Sequence, residues 1–129
     1  GPGVPHGASD ALVHVVDLYA TVAELCGRGA DPARDSRSLV PLFTGGRAPH
    51  DYVLCGIRGD PRIPDDVCVR SARFKLRRTG RPGVPPGVQE SFHDVVLDPL
   101  EHQDLIDDPR YASEVLKHRA WLEAQLPGT

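Results

Sequence analysis

The residues with the clearest capacity for chemistry form a cluster rich in acidic residues and histidine near the C-terminal end. They are His93, Asp94, Asp98, Glu101, His102 and Asp104. Carboxylates and imidazoles are metal ligands, so this set could hold a divalent cation. Calcium loops, however, place oxygen ligands at alternating positions around a glycine, and this segment contains no glycine. The sequence therefore favours a solvated acidic turn over a specific metal site.

Three cysteines, Cys26, Cys55 and Cys68, are the candidate thiol ligands or nucleophiles. Cys55 and Cys68 could meet His50 across strands and bind zinc, but zinc sites usually contain closely spaced ligand pairs, which are missing here. An odd number of cysteines without a CxxC pair favours reduced, partly buried thiols over a disulfide framework. This pattern slightly favours a cytoplasmic location.

A basic segment precedes the acidic cluster. It contains Arg70, Arg73, Lys75, Arg77, Arg78 and Arg81. A nucleic-acid surface would combine such charge with several aromatic residues, whereas only Phe74 lies here and the chain has a formal net charge of −3. The basic and acidic segments could pair, either on adjacent strands or between a strand and the following loop, and the simplest interpretation is a solvated, mutually screened surface. No apolar run approaches about 18 residues, so the sequence predicts neither a nucleic-acid partner nor a membrane span.

The first part of the chain predicts an extended start, one strand and two helices. Residues 1–8 contain three glycines and two prolines, which suits an extended segment, and the apolar residues 11–16 are long enough for a short strand. Asp17 is the predicted N-cap of the first helix, and Gly27 can end it in the left-handed conformation. Ser38 is an N-cap candidate for the second helix. Between the first cap and Gly27, three apolar residues recur at helical spacing: Leu18, Val22 and Leu25.

From residue 51 onward, short β-type segments replace the helical pattern. Four strands are predicted, at residues 52–55, 67–69, 73–77 and 91–96. The segment Arg81–Gly87 contains three prolines and two glycines, which predicts an exposed loop. Asp108 and Pro109 predict the start of a last helix that reaches about residue 125. Its expected apolar stripe, interrupted by Arg119, comprises Ala112, Val115, Leu116, Leu122 and Leu126.

Strands followed by a helix imply an antiparallel sheet that is covered on one face by that helix. The predicted fold class is therefore α+β.

Five motifs follow one another along the chain. They are DLYATVAEL (17–25), DSRSLVPLF (35–43), VRSARFKL (69–76), SFHD (91–94) and DPLEHQDL (98–105). In this order they resemble the last part of sulfatases of the alkaline-phosphatase superfamily. Each motif is weak alone because it is mostly structural, but their co-linear order covers essentially the whole chain. Departures from the family pattern are Ala20 in place of a proline, His93 in place of a tyrosine and the proline-rich insert at 81–87.

The resemblance implies a division of the chain. Residues 1–47 would end the α/β catalytic core with two short helices, and residues 48–129 would form a small α+β subdomain. That subdomain would be a four-stranded antiparallel sheet packed by the C-terminal helix. Loops 57–66 and 79–90 are the segments that could line the parent enzyme's substrate cleft.

Sulfatases use a formylglycine, made from the cysteine or serine of a C/S-x-P-x-R motif, together with a divalent metal, commonly calcium. None of Cys26, Cys55 and Cys68 is followed by proline at the required position, and no serine satisfies the motif. The resemblance therefore implies both groups in the parent enzyme, but it carries no catalytic, cofactor-binding or metal-ligating residue onto this chain.

Three functional hypotheses follow. The first is a C-terminal fragment of a sulfatase-like hydrolase of sulfate monoesters, which supports the active-site region and is inactive alone. The second is a fragment of a phosphodiesterase or phosphonate monoester hydrolase of the same superfamily. The third is a stand-alone, non-catalytic binding or scaffold module. A first residue other than methionine, and a helix pair that should pack against something, argue against the third. The expected partner is the missing N-terminal part of the parent, or another copy of the chain bound through apolar surface.

Overall fold

The structure is a computed structural model that describes residues 4–29, 31, 33–60, 62 and 64–126. Gly1, Pro2 and Gly3 of the expected extended start lie outside the described residues. The chain forms two compact units, residues 1–53 (unit 1) and residues 54–129 (unit 2). The elements are α1 (Asp17–Leu25), α2 (Val40–Phe43), β1 (Tyr52–Ile57), β2 (Asp66–Ser71), β3 (Phe74–Arg81), β4 (Val84–Asp94), a 3₁₀ turn (Pro109–Tyr111) and α3 (Ala112–Gln125).

The start of α1 differs from the sequence prediction. Val16 occupies the N-cap position without a side-chain cap, and Asp17 is the first helical residue, so the prediction of Asp17 as N-cap is wrong. Residues 11–16 are irregular or in a turn, so the predicted strand is also wrong. The reason is local, because the Asp17 carboxylate accepts the His14 N–H at 2.7 Å and the Asp17 N–H bonds to the His14 carbonyl. These bonds use main-chain groups that a strand would need for its ladder.

The end of α1 and the start of α2 lie close to their predicted positions. Gly27 follows α1 with φ +71°, as predicted for a left-handed residue after a helix. The Arg28 N–H reaches back to the Ala23 carbonyl at 2.8 Å. At α2, Leu39 rather than Ser38 occupies the N-cap position, although the Ser38 hydroxyl still accepts the Val40 N–H at 3.1 Å.

The four strands form one sheet in the order β1-β2-β3-β4, and the predicted antiparallel sheet is confirmed. Val69 on β2 lies opposite Leu76 on β3, which in turn lies opposite Phe92 on β4. These three side chains are buried, and they share one face because side chains alternate along a strand. Phe74 stacks on Phe92 with ring centroids 5.3 Å apart. This face forms the core of unit 2.

The predicted exposed loop at Arg81–Gly87 is wrong. Strand β3 extends to Arg81, β4 begins at Val84, and these two residues pair across a tight turn at Pro82 and Gly83. Prolines are tolerated here because β4 is an edge strand, which does not need every main-chain N–H for the ladder. The proline and glycine content of this segment predicted a loop, whereas β3 and β4 remain paired there.

Gly80 lies at a register shift between Thr79 and Arg81. Its φ is +88°, and a Cβ atom placed there would collide with the Gly87 carbonyl. We expect Gly80→Ala to lower the free energy of unfolding by about 2 kcal/mol, since it combines left-handed strain with a main-chain clash. Urea unfolding followed by Trp121 fluorescence measures the loss.

Gly83→Ala is the matched control for this prediction. Gly83 also has a positive φ, +75°, but a Cβ atom there meets nothing within 4 Å, so only the conformational strain of about 1 kcal/mol remains. Equal losses for the two variants would show that the contact between Gly80 and Gly87 is unimportant.

The C-terminal helix begins as predicted. The Asp108 carboxylate accepts the Arg110 N–H at 3.0 Å and caps the turn that leads into α3. The predicted stripe is confirmed for Val115 and Leu122, which are buried, but it is wrong for Leu116, which is 64% exposed. Ala112 is exposed as well. The third buried residue of α3 is His118.

Candidate functional site

Two ion pairs join the basic segment to the acidic cluster. Arg73 bonds to Asp94 at 2.8 Å, and Lys75 Nζ lies 2.5 Å from a Glu101 carboxylate oxygen. Burial by itself raises the pKa of Asp94, but the hydrogen bond from Arg73 and two from main-chain N–H groups bring it below the usual value. Asp94 is buried, so the prediction of a solvated turn is wrong for this residue.

The remaining carboxylates of the acidic cluster hold main-chain groups. Asp98 accepts the Gln103 N–H at 2.8 Å, and Asp104 accepts the Phe92 N–H at 2.9 Å. His93 is buried, and its Nδ1 bonds to the Gln103 carbonyl. Within the part of the chain that the structure describes, no group of three or more His, Cys, Asp or Glu side chains could hold a metal ion. The cluster shapes the chain between β4 and α3.

His50, Cys55 and Cys68, which were weighed as zinc ligands and not favoured, have the following surroundings. His50 Nε2 bonds to the Asp17 carboxylate at 2.8 Å, and its ring meets His14 edge-on with centroids 5.2 Å apart. Cys68 is half-buried, whereas Cys26 and Cys55 are exposed, so the prediction of partly buried thiols is wrong for these two.

Asp17 is the most completely enclosed carboxylate of unit 1, with 0% of its surface exposed. It accepts main-chain N–H groups from His14 and Arg37 at 2.7 and 2.9 Å, besides the His50 ring. Burial alone would raise the pKa of Asp17, but these three hydrogen bonds hold it below the usual value. This role of Asp17 is not visible in the sequence because its three donors lie far apart in the chain.

A serine and a histidine also meet in unit 2. Ser71 Oγ lies 3.0 Å from His118 Nε2, and His118 Nδ1 bonds to the Glu114 carbonyl at 2.7 Å. The pair resembles a nucleophile and its base, but His118 is completely buried and Ser71 Oγ also accepts the Phe74 N–H. A reacting atom could not approach the imidazole, so the pair joins α3 to the turn between β2 and β3.

The loops 57–66 and 79–90, which could line a cleft in the parent enzyme, are in contact with each other. The Gly80 N–H bonds to the Asp65 carbonyl at 2.9 Å, and the Arg81 guanidinium bonds to the Asp65 carboxylate at 3.0 Å and to the Asp60 carbonyl. The main-chain N–H of Gly59 and the Arg81 guanidinium lower the pKa of Asp65. Pro61 and Ile63, in the first loop, lie outside the described residues.

Of the clefts at this junction, two touch Gly80. The first, of about 220 Å³, is lined by Arg62, Pro64, Gly80, Arg81, Val84, Pro85 and Pro86. The second, of about 170 Å³, is lined by Arg58, Asp65, Val67, Arg78, Gly80, Pro82, Val88, Glu90 and Leu126. None of these described lining residues is a serine, cysteine or histidine. The clefts could therefore bind a ligand but do not supply a nucleophile or an imidazole base.

The guanidinium groups at the second cleft are held in place by carboxylates. Arg78 bonds to Glu90 at 2.7 Å, and Arg119 bonds to the other oxygen of the same carboxylate at 2.7 Å. Arg58 lies 3.9 Å from Asp65. The lining therefore combines two guanidinium groups, of Arg58 and Arg78, with the two carboxylates of Asp65 and Glu90, and offers hydrogen-bonding groups of both kinds. This cleft is the best candidate for a binding surface in unit 2.

Comparison with known proteins gives matches among solved structures only. No protein-family model matches the chain, and no curated protein matches it. A 2-O GAG sulfatase matches with 26% sequence identity and a TM-score of 0.77, over 95% of this chain and 27% of its own. A protein of Bacteroides thetaiotaomicron VPI-5482 described as a sulfatase matches with 26% identity and a TM-score of 0.66, over 82% and 23%. The phosphonate monoester hydrolase of Agrobacterium radiobacter matches with 21% identity and a TM-score of 0.60, over 82% and 23%.

The fold is therefore that of a C-terminal sulfatase-like portion, as found in the alkaline-phosphatase-like superfamily. The chain spans about a quarter of the length of the structures that it matches. Among the described residues, no helix has both the length and the apolar character needed to cross a membrane.

Proposed function

We propose that this chain is the C-terminal portion of a hydrolase of sulfate monoesters, in which it supports the active-site region and is inactive alone. The observation that carries the proposal is the match to the 2-O GAG sulfatase, which takes in 95% of this chain but only 27% of the matched structure. The nucleophile, in the form of a formylglycine, and a calcium ion would belong to the preceding part of the parent enzyme. The described residues offer no donor set for such an ion.

The role of support rests on the exposed face of α1. Leu18, Val22 and Leu25 are 55%, 58% and 52% exposed, and they share one face because they lie four and three residues apart in a helix. Exposed apolar stripes of this kind usually mark an interaction surface. We propose that the preceding part of the parent enzyme covers this face. For unit 2 we propose, independently, that the clefts beside Asp65 border the mouth of the active site.

A charge placed on that face tests the packing. We expect Val22→Asp to reduce the soluble yield and melting temperature of the full-length hydrolase strongly, because an unpaired charge would be buried there. In the isolated 129-residue chain the same substitution should leave the circular dichroism spectrum unchanged. Thermal melts of both forms provide the measurement.

Glu24→Lys serves as the control, since it changes the charge at an exposed position of the same helix. If Val22→Asp instead leaves the full-length enzyme unaffected and abolishes a dimer of the isolated chain, another copy of the chain is the partner.

An enzyme assay tests the proposed reaction. We expect the full-length hydrolase to cleave an aryl sulfate in the presence of calcium, and the isolated chain to show no turnover above the uncatalysed rate. The reason is that the isolated chain would lack both the nucleophile and the metal ion that stabilises the charge of the transition state. Metal-dependent hydrolysis by the purified fragment would contradict this expectation.

A second candidate, a phosphonate monoester hydrolase, is favoured by the match to the Agrobacterium radiobacter enzyme. Its sequence identity of 21% is lower than the 26% of the 2-O GAG sulfatase. Parallel assays of the full-length protein with an aryl sulfate and an aryl phosphonate monoester discriminate between the two. A higher kcat/KM for the phosphonate would favour this second candidate.

A further inference from the structure

The strands β1 and β2 each carry one cysteine, Cys55 and Cys68, at positions that face each other. Next to these positions, at Gly56 on β1 and Val67 on β2, the main chains of the two strands lie against each other. A Cβ atom built on Gly56 would lie within 2.7 Å of the Val67 Cα atom. The connection between the strands is too short for a parallel crossover, so they run antiparallel.

In an antiparallel pair, stepping back by one residue on β1 corresponds to stepping forward by one residue on β2. Gly56 lies beside Val67, so Cys55 lies opposite Cys68. The Cys55 main-chain N–H also lies near enough to the Cys68 thiol to act on its pKa, in the lowering direction. Directly opposed residues have Cα atoms about 4.5–5.5 Å apart, which lies within the range that a disulfide bridges.

The two thiols are also accessible. Cys68 is half-buried between Val67 and Val69, which point to the other face of the sheet and into the core, and Cys55 is exposed. The Cys68 side chain therefore lies on the sheet face opposite the core. A small oxidant could reach this pair without unfolding unit 2.

We propose that Cys55 and Cys68 form a redox-active dithiol, which is reversibly oxidised to a cross-strand disulfide by a small-molecule disulfide such as oxidised glutathione. The assignment rests on strand register and exposure, and it does not depend on the proposed hydrolase function. The bond would tie the edge strand β1 to β2.

The reaction proceeds by two thiol–disulfide exchanges. The Cys55 thiolate, which is the more exposed, attacks one sulfur of oxidised glutathione, and one glutathione leaves as thiolate. The Cys68 thiolate then attacks the Cys55 sulfur of the mixed disulfide, and the second glutathione leaves. Two protein thiols are thereby oxidised while one glutathione disulfide is reduced to two thiols. Burial raises the pKa of the Cys68 thiol, so this residue suits the second, intramolecular step.

Redox titration with mixtures of reduced and oxidised glutathione tests the proposal. The chain is equilibrated, quenched with acid and mapped by mass spectrometry without reduction. We expect a peptide that links Cys55 to Cys68 in the wild type and equally in Cys26→Ser, which removes the thiol of unit 1. Cys68→Ser should instead accumulate glutathione on Cys55, and Cys55→Ser should form no internal disulfide.

Circular dichroism of each sample establishes that the fold is retained. The proposal is overturned if the folded wild-type chain forms no link between Cys55 and Cys68 at any glutathione ratio. It is equally overturned if the first disulfide to form in the folded chain involves Cys26.

Discussion

Replacing Asp17 with alanine is expected to destabilise unit 1 by about 3 kcal/mol. A fully buried carboxylate that bonds to three donors is costly to remove, because the donors are left without an acceptor. The two main-chain donors, at His14 and Arg37, lie on either side of α1, so the segments before and after the helix should loosen together. Hydrogen–deuterium exchange with mass spectrometry should show faster exchange throughout unit 1, with unit 2 unchanged.

Asp10→Ala is the control, because Asp10 is an exposed carboxylate of the same unit, and its loss should leave exchange unchanged.

The contribution of Asp17 to the stability of unit 1 depends on pH. The pKa of Asp17 in the folded chain lies below its ordinary value of 3.8, so its contribution is fully present above that value. The contribution is lost as the pH falls through the lower folded-state pKa. Unchanged protection of unit 1 in Asp17→Ala would refute the role assigned to this carboxylate.

Replacing His118 with alanine is expected to lower the free energy of unfolding of unit 2 by about 3 kcal/mol. The ring is completely buried and meets Phe92 and Trp121 edge-on, with centroids 5.2 and 4.9 Å apart. Its removal leaves a cavity among aromatic side chains and takes away the partner of Ser71. Urea unfolding followed by fluorescence of Trp121, the only tryptophan in the chain, measures the effect.

The histidine should also make stability depend on pH. Burial lowers the pKa of His118 below its ordinary value of 6.5, although Glu114 beside it acts in the opposite direction. The unfolded chain therefore binds the proton more readily, so stability falls as the pH drops below about 6.5. The loss continues until the folded-state pKa is passed.

His118→Leu separates this titration from packing, since leucine fills much of the site but carries no proton. Between pH 7.5 and pH 5.5 we expect the wild type to lose more stability than His118→Leu, by about 1 kcal/mol. His102→Leu, at an exposed position, should retain the wild-type dependence. If His118→Leu and the wild type lose the same stability over this range, His118 is not the titrating group.

Residues of different motifs contact one another in the folded chain. Lys75 of the VRSARFKL motif bonds to Glu101 of the DPLEHQDL motif, and Arg73 of the first motif bonds to Asp94 of the SFHD motif. Both pairs connect residues more than twenty positions apart, so their spacing along the chain carries information about the fold. The sequence could thus indicate the parent family while the individual motifs remained weak.

Local signals in the sequence determined several features correctly. The capping carboxylate of Asp108, the left-handed Gly27 and the alternating apolar residues of β3 each depend on near neighbours in the chain. The four strands of the sheet and the final helix could therefore be predicted, and with them the α+β class.

Only the tertiary structure decided the features that depend on distant partners. Asp17 was expected to cap a helix, but donors from His14, Arg37 and His50 hold its carboxylate, and two of them lie far along the chain. His118 was absent from the expected stripe because an imidazole enters a core only when distant groups satisfy it, here Ser71. Composition and local periodicity reflect short-range preference, whereas burial and hydrogen-bond partners are set by contacts between segments that lie far apart in the sequence.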